Sequence, residues 1–194
     1  MAGSVNYLIT MEDMTLTERK EHRRNAIIAA VTLAKEKSIA QQADVDAVRA
    51  GQAPVTVDIR EFQNILDAVA VLDQWNTQAL AAVGTAYSAF QAVLAFAVPA
   101  NRVFVFYNVK VETIPQPVSR VTFRVGGAAG NIRGVFDLEA LATQMIPVGY
   151  FSEPITYGPL DNLAVQVLCR IATGVVARVQ FGTFVVETGG QVVA

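Results

Sequence analysis

The sequence predicts an α+β chain in which an N-terminal helical segment of two helices precedes an antiparallel β-sandwich of jelly-roll-like topology. The first observation behind this is the placement of charge. Residues through Glu61 carry 8 Lys/Arg and 9 Asp/Glu, more than half of the 32 charged side chains in 194 residues. The N-terminal third is written for water or polar contact, and the rest for burial. The second observation is a pair of helix-start spacings in that first part, Thr15 with Glu18 and Asp58 with Glu61. The third is a series of short alternating apolar runs after it, roughly seven or eight in about 110 residues, with turn residues between them and few helical signals. The chain divides accordingly into an arm (1–14), a helical region (15–84) and a sandwich (85–194).

In the arm, Tyr7, Leu8 and Ile9 form a short apolar knot, compatible with a disordered end or with an arm that orders against a neighbour. Thr15 and Glu18 then open a helix to about Ala40 or Arg49, and Gly51 stops it. Its first turns are charged on most sides; Ile27, Val31 and Ala34, with Ile28 adjacent, supply an apolar stripe further on. Pro54 supports a break in GQAPVT. From Asp58 a second helix is predicted to near Gly84, with Ile59, Phe62, Ile65, Leu66, Val69 and Leu72 on a seam close to a heptad. That stripe is longer than the first helix can cover.

From Gln74 to Asn101 no residue is charged, and Ala79–Val98 is long enough to span a bilayer. Against a span stand Thr85, Ser88 and Gln91 inside the run and the lack of a flanking basic cluster. Its later part alternates, so a strand is predicted up to Val98. In RVFVFYNVKVE, Val103, Val105, Tyr107, Val109 and Val111 form one apolar face, while Phe104 and Phe106 on the other need a cover. The second helix and a neighbouring subunit are the candidates. Val121, Phe123 and Val125 point inward from the next strand. GGAAGN makes a loop, Ile132–Phe136 a short strand, and DLEALATQM about two turns of helix. Pro154 breaks an aromatic stretch from Tyr150 to Tyr157. Leu163, Val165, Val167, Cys169 and Ile171 form another inward face, and a last strand bulges at Gly182. An immunoglobulin-like sandwich is the alternative, but its paired cysteines are missing.

Hydrophobic residues make up 53% of the chain and charged residues 16%, with a mean hydropathy of +0.37. A membrane span, a large core or a surface buried in an assembly would each account for this. A net charge of −2 gives no broad electrostatic case for nucleic acid. With one cysteine, Cys169, no intrachain disulfide forms. The first residues lack the basic and apolar regions of a secretory signal.

No catalytic, cofactor-binding or metal residue is expected. His22, the one histidine, sits among Glu21, Arg23 and Arg24 on what reads as a solvated helix face. Cys169 reads as a small buried hydrophobe. Asp44 and Asp46 lack the glycine and later glutamate of a calcium loop and read as a polar helix end. GGAAGN lacks the lysine and the following helix of a phosphate loop. Arg19, Lys20, Arg23 and Arg24 form the one basic cluster, a solvated face or a docking site for an acidic partner. Tyr150, Phe151 and Tyr157, with Glu153 and Asp161 nearby, suit a sugar-binding surface, although core or interface is the commoner use of such aromatics.

The stretches RVFVFYNVKVE, SRVTFRVG, GVFDLEAL and YFSEPITYGPLDNLAVQV, following a helical appendage, resemble virion structural proteins of tailed bacteriophages over roughly residues 86 to 187. The likeness is greatest to capsid decoration (cement) proteins and other jelly-roll auxiliary head proteins. It carries no motif from which functional residues transfer. It implies a non-enzymatic protein of the capsid surface, assembled in the host cytoplasm, that binds a major capsid protein and stabilises the shell as a dimer or trimer, with no cofactor, nucleic acid or membrane. Phe62, Leu66, Val69, Leu72, Phe104 and Phe106 are the interface residues this reading expects. A carbohydrate-binding or adhesion module on a helical stalk is the rival.

Overall fold

The structure, a computed structural model, describes residues 6–61, 75–79, 91–111, 118–169 and 176–189. A short strand β1 (Leu8–Thr10) precedes helices α1 (Leu16–Glu36) and α2 (Gln42–Arg49). The later strands are β2 (Val57–Glu61), β3 (Trp75–Ala79), β4 (Gln91–Ala97), β5 (Arg102–Val111) and β6 (Val118–Val125). They continue with β7 (Asn131–Asp137), β8 (Val148–Tyr157), β9 (Asn162–Cys169) and β10 (Val176–Thr188). The chain is α+β, with two helices followed by antiparallel sheets.

The strand pairs are nested. β3 pairs with β10, β4 with β9, β5 with β8 and β6 with β7. This is one long hairpin of paired strands. Rolled so that β5 also meets β10 and β6 also meets β9, it becomes two facing sheets, the jelly-roll arrangement. The second sheet runs β4-β9-β6-β7. The first is widened by β1 along β8 and by β2, which lies along the C-terminal half of β10 where β3 lies along the N-terminal half. The arm therefore pairs with its own sheet, Leu8 opposite Phe151.

The helices pack on the outer face of the first sheet, giving three layers around two cores. Phe104, Phe106, Phe123, Phe136, Phe151 and Leu163 are among the side chains buried between the sheets. Val103, Val105, Tyr107, Phe184 and Val186 meet the helices on the other face. At α1 the closest approach is made by Ala26, Ala30 and Ala34, small enough for the helix to lie against the sheet, with Val31 beside them. Ile27 and Ile28 are only partly covered.

The apolar face predicted for β5 divides in two. Pairing with β10 shifts register at Gly182/Thr183, where Phe106 opposes Thr183 and Asn108 opposes Gly182, leaving Tyr107 as the extra residue of a bulge. Before it, the odd residues face the helices; after it, Val109 and Val111 face the second sheet along with Phe104 and Phe106. The Asn108 side chain lies over Gly182, whose N–H donates to Asn108 Oδ1 at 2.7 Å. A Cβ on Gly182 would come within 2.1 Å of that oxygen, so any larger residue would displace the Asn108 side chain from this position. The cover over Phe104 and Phe106 is this chain's own second sheet. Phe96 meets Phe104 edge-on at 5.6 Å and Phe123 lies 5.3 Å from Phe106. Both phenylalanines are fully buried and offer no surface to a neighbour.

The helical segment also differs from its prediction. Thr15 and Glu18 form the predicted capping box, Glu18 N–H donating to Thr15 Oγ1 and Thr15 N–H to Glu18 Oε2. The helix then ends at Glu36, and α2 follows after a turn in which Ser38 takes a left-handed conformation (φ 61°). Gly51, with φ 76°, closes α2 as predicted. The second helix predicted from Asp58 is strand at both places described, β2 and β3. Val57 and Ile59 alternate with Asp58 and Arg60, and pairing with Thr188–Phe184 outweighs a local capping spacing. Phe62, Leu66, Val69 and Leu72 lie outside the described residues. DLEALATQM makes a 3-10 turn, Glu139–Thr143.

Two buried carboxylates secure the ends of these layers. Glu187 is fully buried on β10 between Arg60 and its cross-strand partner Arg102, whose Nε donates at 2.7 Å. Asp44, also fully buried, accepts from the N–H groups of Gln41 (2.8 Å), Val55 (2.6 Å) and Thr56 (2.7 Å) and from the Thr56 hydroxyl. It thereby caps α2 and ties it to the turn that enters β2. Burial opposes the Asp44 charge, but these hydrogen bonds outweigh it and bring its pKa down to about 2.

Replacing Glu187 by Ala removes the buried carboxylate that Arg60 and Arg102 share and is expected to cost about 3–5 kcal/mol in urea unfolding. The stability that Asp44 supplies is complete above its ordinary pKa of 3.8 and is lost as pH falls toward about 2. Asp44→Asn should therefore lower the urea midpoint at pH 6, and the gap from the native chain should narrow toward pH 2.

Candidate functional site

A polar and aromatic cluster fills the seam between α1 and the first sheet. The bulge presents Tyr107 to the helix, where its hydroxyl donates to Glu61 Oε1 at the end of β2. Glu61 Oε2 accepts from Arg23 Nη2 at 2.7 Å. The Arg23 guanidinium lies 5.3 Å from the centroid of the Phe184 ring, which itself stacks on Tyr107 at 5.0 Å. Tyr150 follows at 6.2 Å from Tyr107, and His22 at 6.0 Å from Tyr150. His22 is thus half-buried against an aromatic ring and not on a fully solvated face.

The electrostatics of the seam describe a closed set. Burial raises the Tyr107 phenol well above the usual tyrosine range, and the hydrogen bond to Glu61 adds to this. Burial opposes the Glu61 charge, but the bonds from Arg23 and Tyr107 outweigh it and hold the carboxyl below its ordinary value. The bond to Glu61 likewise raises Arg23. Each polar group is spent on another, which suits locking a helix to a sheet.

Beside the seam, between the outer turns of α1 and the α2–β2 connection, lies a cleft of about 290 Å³. Lys20, Arg23 and Arg24 stand along it, over Ile27, Val48, Pro54 and Ile59. Arg24 Nη2 donates to the Arg49 carbonyl at 2.5 Å, which fixes α1 to the end of α2. Three of the four members of the predicted basic cluster meet here. The fourth, Arg19, turns toward the arm and donates to the carbonyls of Met11 (2.7 Å) and Met14 (3.0 Å).

Elsewhere, Ile146 N–H donates to Glu12 Oε1 at 3.0 Å, which ties the loop before β8 to the turn ahead of α1. In that loop Met145 is 94% exposed, with Ile146 adjacent in sequence and also exposed, and Leu16 at the first residue of α1 is 64% exposed. Sequence periodicity does not reveal these exposures, because none of the three lies on a strand or on an alternating run.

The remaining predicted candidates are dispersed. Phe151 and Tyr157 are buried, and the Tyr157 hydroxyl donates to the Arg124 carbonyl at 3.0 Å. They form no flat aromatic surface with half-buried Tyr150. Asp46 accepts from Gln42 Nε2 at 2.9 Å. The glycine loop is the β6–β7 hairpin turn, with Gly126 and Gly127 in left-handed conformations. Among the described residues no three His, Cys, Asp or Glu side chains gather as a metal site. No helix among them is long and apolar enough to cross a membrane. The described ends of the Ala79–Val98 run belong to β3 and β4. No family model, curated protein or solved structure matches the chain.

Removing the Tyr107 hydroxyl leaves the ring packed and one Glu61 oxygen without its donor, so Tyr107→Phe should cost about 1–2 kcal/mol. Burial also raises the Tyr157 phenol above its ordinary value of 10.0. The stability contributed by both phenols is complete below that pH and is lost as pH rises beyond it. In an ultraviolet phenolate titration of the 5 tyrosines, these two should ionise only as the chain unfolds, and Tyr107→Phe should remove one of them.

Proposed function

We propose that this chain is a non-enzymatic virion structural protein, a decoration (cement) protein that binds the capsid shell of a tailed bacteriophage and stabilises it as an oligomer. Its partners are further copies of itself, as a dimer or trimer, and a major capsid protein, and its place is the capsid surface after assembly in the host cytoplasm. The jelly roll is shared by capsid proteins, lectins and cupins, so the fold supports this by analogy alone. The observation that carries the reading is the exposure of Leu16, Met145 and Ile146, large apolar side chains that gain by leaving water. Two of them are adjacent in one loop, where a protein–protein contact would cover them. The polar side chains of the seam are committed to one another, which suits a structural role.

In sedimentation velocity at micromolar concentration the chain should run as a dimer or trimer. Leu16→Glu combined with Met145→Glu should shift it to monomer, abolish co-sedimentation with the shell and leave the melting temperature unchanged. A monomeric native chain, together with a virion map lacking it on the capsid surface, would contradict the proposal.

A further inference from the structure

The cleft beside α1 combines two features that rarely meet by chance, a cationic wall and an aliphatic floor. Lys20, Arg23 and Arg24 stand at i, i+3 and i+4 on one side of α1. Ile27, Val48 and Ile59 lie beneath, drawn from α1, α2 and β2. No acidic side chain lines the space. Glu61, the carboxylate bonded to the lining residue Arg23, is spent on Arg23 and Tyr107.

Two of the cations are held in place before any ligand arrives. Arg23 is fixed by Glu61 and by the Phe184 ring, and Arg24 by the Arg49 carbonyl. Such positioning lowers the entropy cost of binding. The Lys20 side chain has neither an ion pair nor a hydrogen bond among the described residues, although it stands over the same floor. Its charge is unneutralised by the fold.

We propose that this cleft docks an acidic peptide segment of a partner protein, with one aliphatic side chain on the floor and flanking carboxylates on Lys20 and Arg24. Charge complementarity selects the occupant. Inorganic phosphate gains nothing from Ile27, Val48 and Ile59. Single-stranded nucleic acid requires aromatic rings for base stacking and a longer basic track, and the lining has neither. A volume of about 290 Å³ takes one or two side chains, the scale of a peptide anchor. This proposal stands on the cleft alone and holds equally for a monomeric chain that binds no shell.

The test is fluorescence anisotropy at low salt on the full chain, with a labelled peptide Glu-Asp-Glu-Leu-Glu-Asp-Glu. Beside it run the same peptide with serine for leucine, and a labelled oligothymidylate. Saturable binding of the leucine peptide with Kd below about 100 μM is expected. Lys20→Glu should weaken it by about tenfold or more, and serine for leucine should do the same. Because the Lys20 side chain holds no other described residue, its variant should melt with the native chain, which separates lost binding from lost structure. Absence of saturable binding, indifference to Lys20→Glu, equal binding of the serine peptide, or tighter binding of the oligothymidylate would each overturn the proposal.

Discussion

The pairing of β5 with β10 is the constraint on which the other layers depend. Both strands lie in the middle of the first sheet, buried on one face by α1 and on the other by the second sheet. A regular strand would send alternate residues to alternate faces along its whole length. The bulge at Tyr107 interrupts this, and Asn108 closing over Gly182 sets where the interruption falls. Before the bulge, β5 supplies valines and a tyrosine to the helix side and phenylalanines to the sandwich. After it, valines fill the sandwich. One strand thus serves two cores, and Tyr107 is delivered to the seam where Glu61 and Arg23 complete the attachment of α1.

A sheet covered on both sides requires two layers of apolar side chains, which gives the high hydrophobic content an origin within the chain. Composition alone therefore says little about assembly; the exposed side chains of Leu16, Met145 and Ile146 say more. Among the described residues, both fully buried carboxylates are answered. Glu187 has Arg60 and Arg102, and Asp44 has three backbone N–H groups and a hydroxyl. Each sits where a layer would otherwise fray, at the end of β10 or at the turn from α2 into β2. At the surface, the cations on the outer turns of α1 stand out.

The strands of the sandwich were the most legible part of the sequence, because alternation is imposed locally by the pleat. Val121, Phe123, Leu163, Val165 and Val167 face inward as their spacing predicts. The Thr15–Glu18 box and the stop at Gly51 are equally local, and both are present. The failures share another cause. Asp58 and Glu61 have the spacing of a cap, but a five-residue segment takes its conformation from the strand it pairs with. The cover over Phe104 and Phe106 comes from strands far along the chain, and the split face of β5 depends on Gly182, which lies more than seventy residues away. Asp44 reads in the sequence only as part of a polar helix end, because its donors at Val55 and Thr56 lie beyond a turn whose path the sequence does not give. The cleft was half visible: the cations could be read from α1, but its floor needed α2 and β2 in place.

Central to this account is the claim that the first sheet is a shared wall, so that helix layer and sandwich form one cooperative unit. Native-state hydrogen exchange measures this directly, because each amide reports the free energy of the opening that exposes it. The amides of α1 from Ala26 to Ala34 should exchange with the same opening free energy and urea dependence as those of β5 and β10, both equal to global unfolding. If the α1 amides exchanged through a separate opening, several kcal/mol below that of the strands, the helices would be a detachable appendage and the shared-wall account would be wrong.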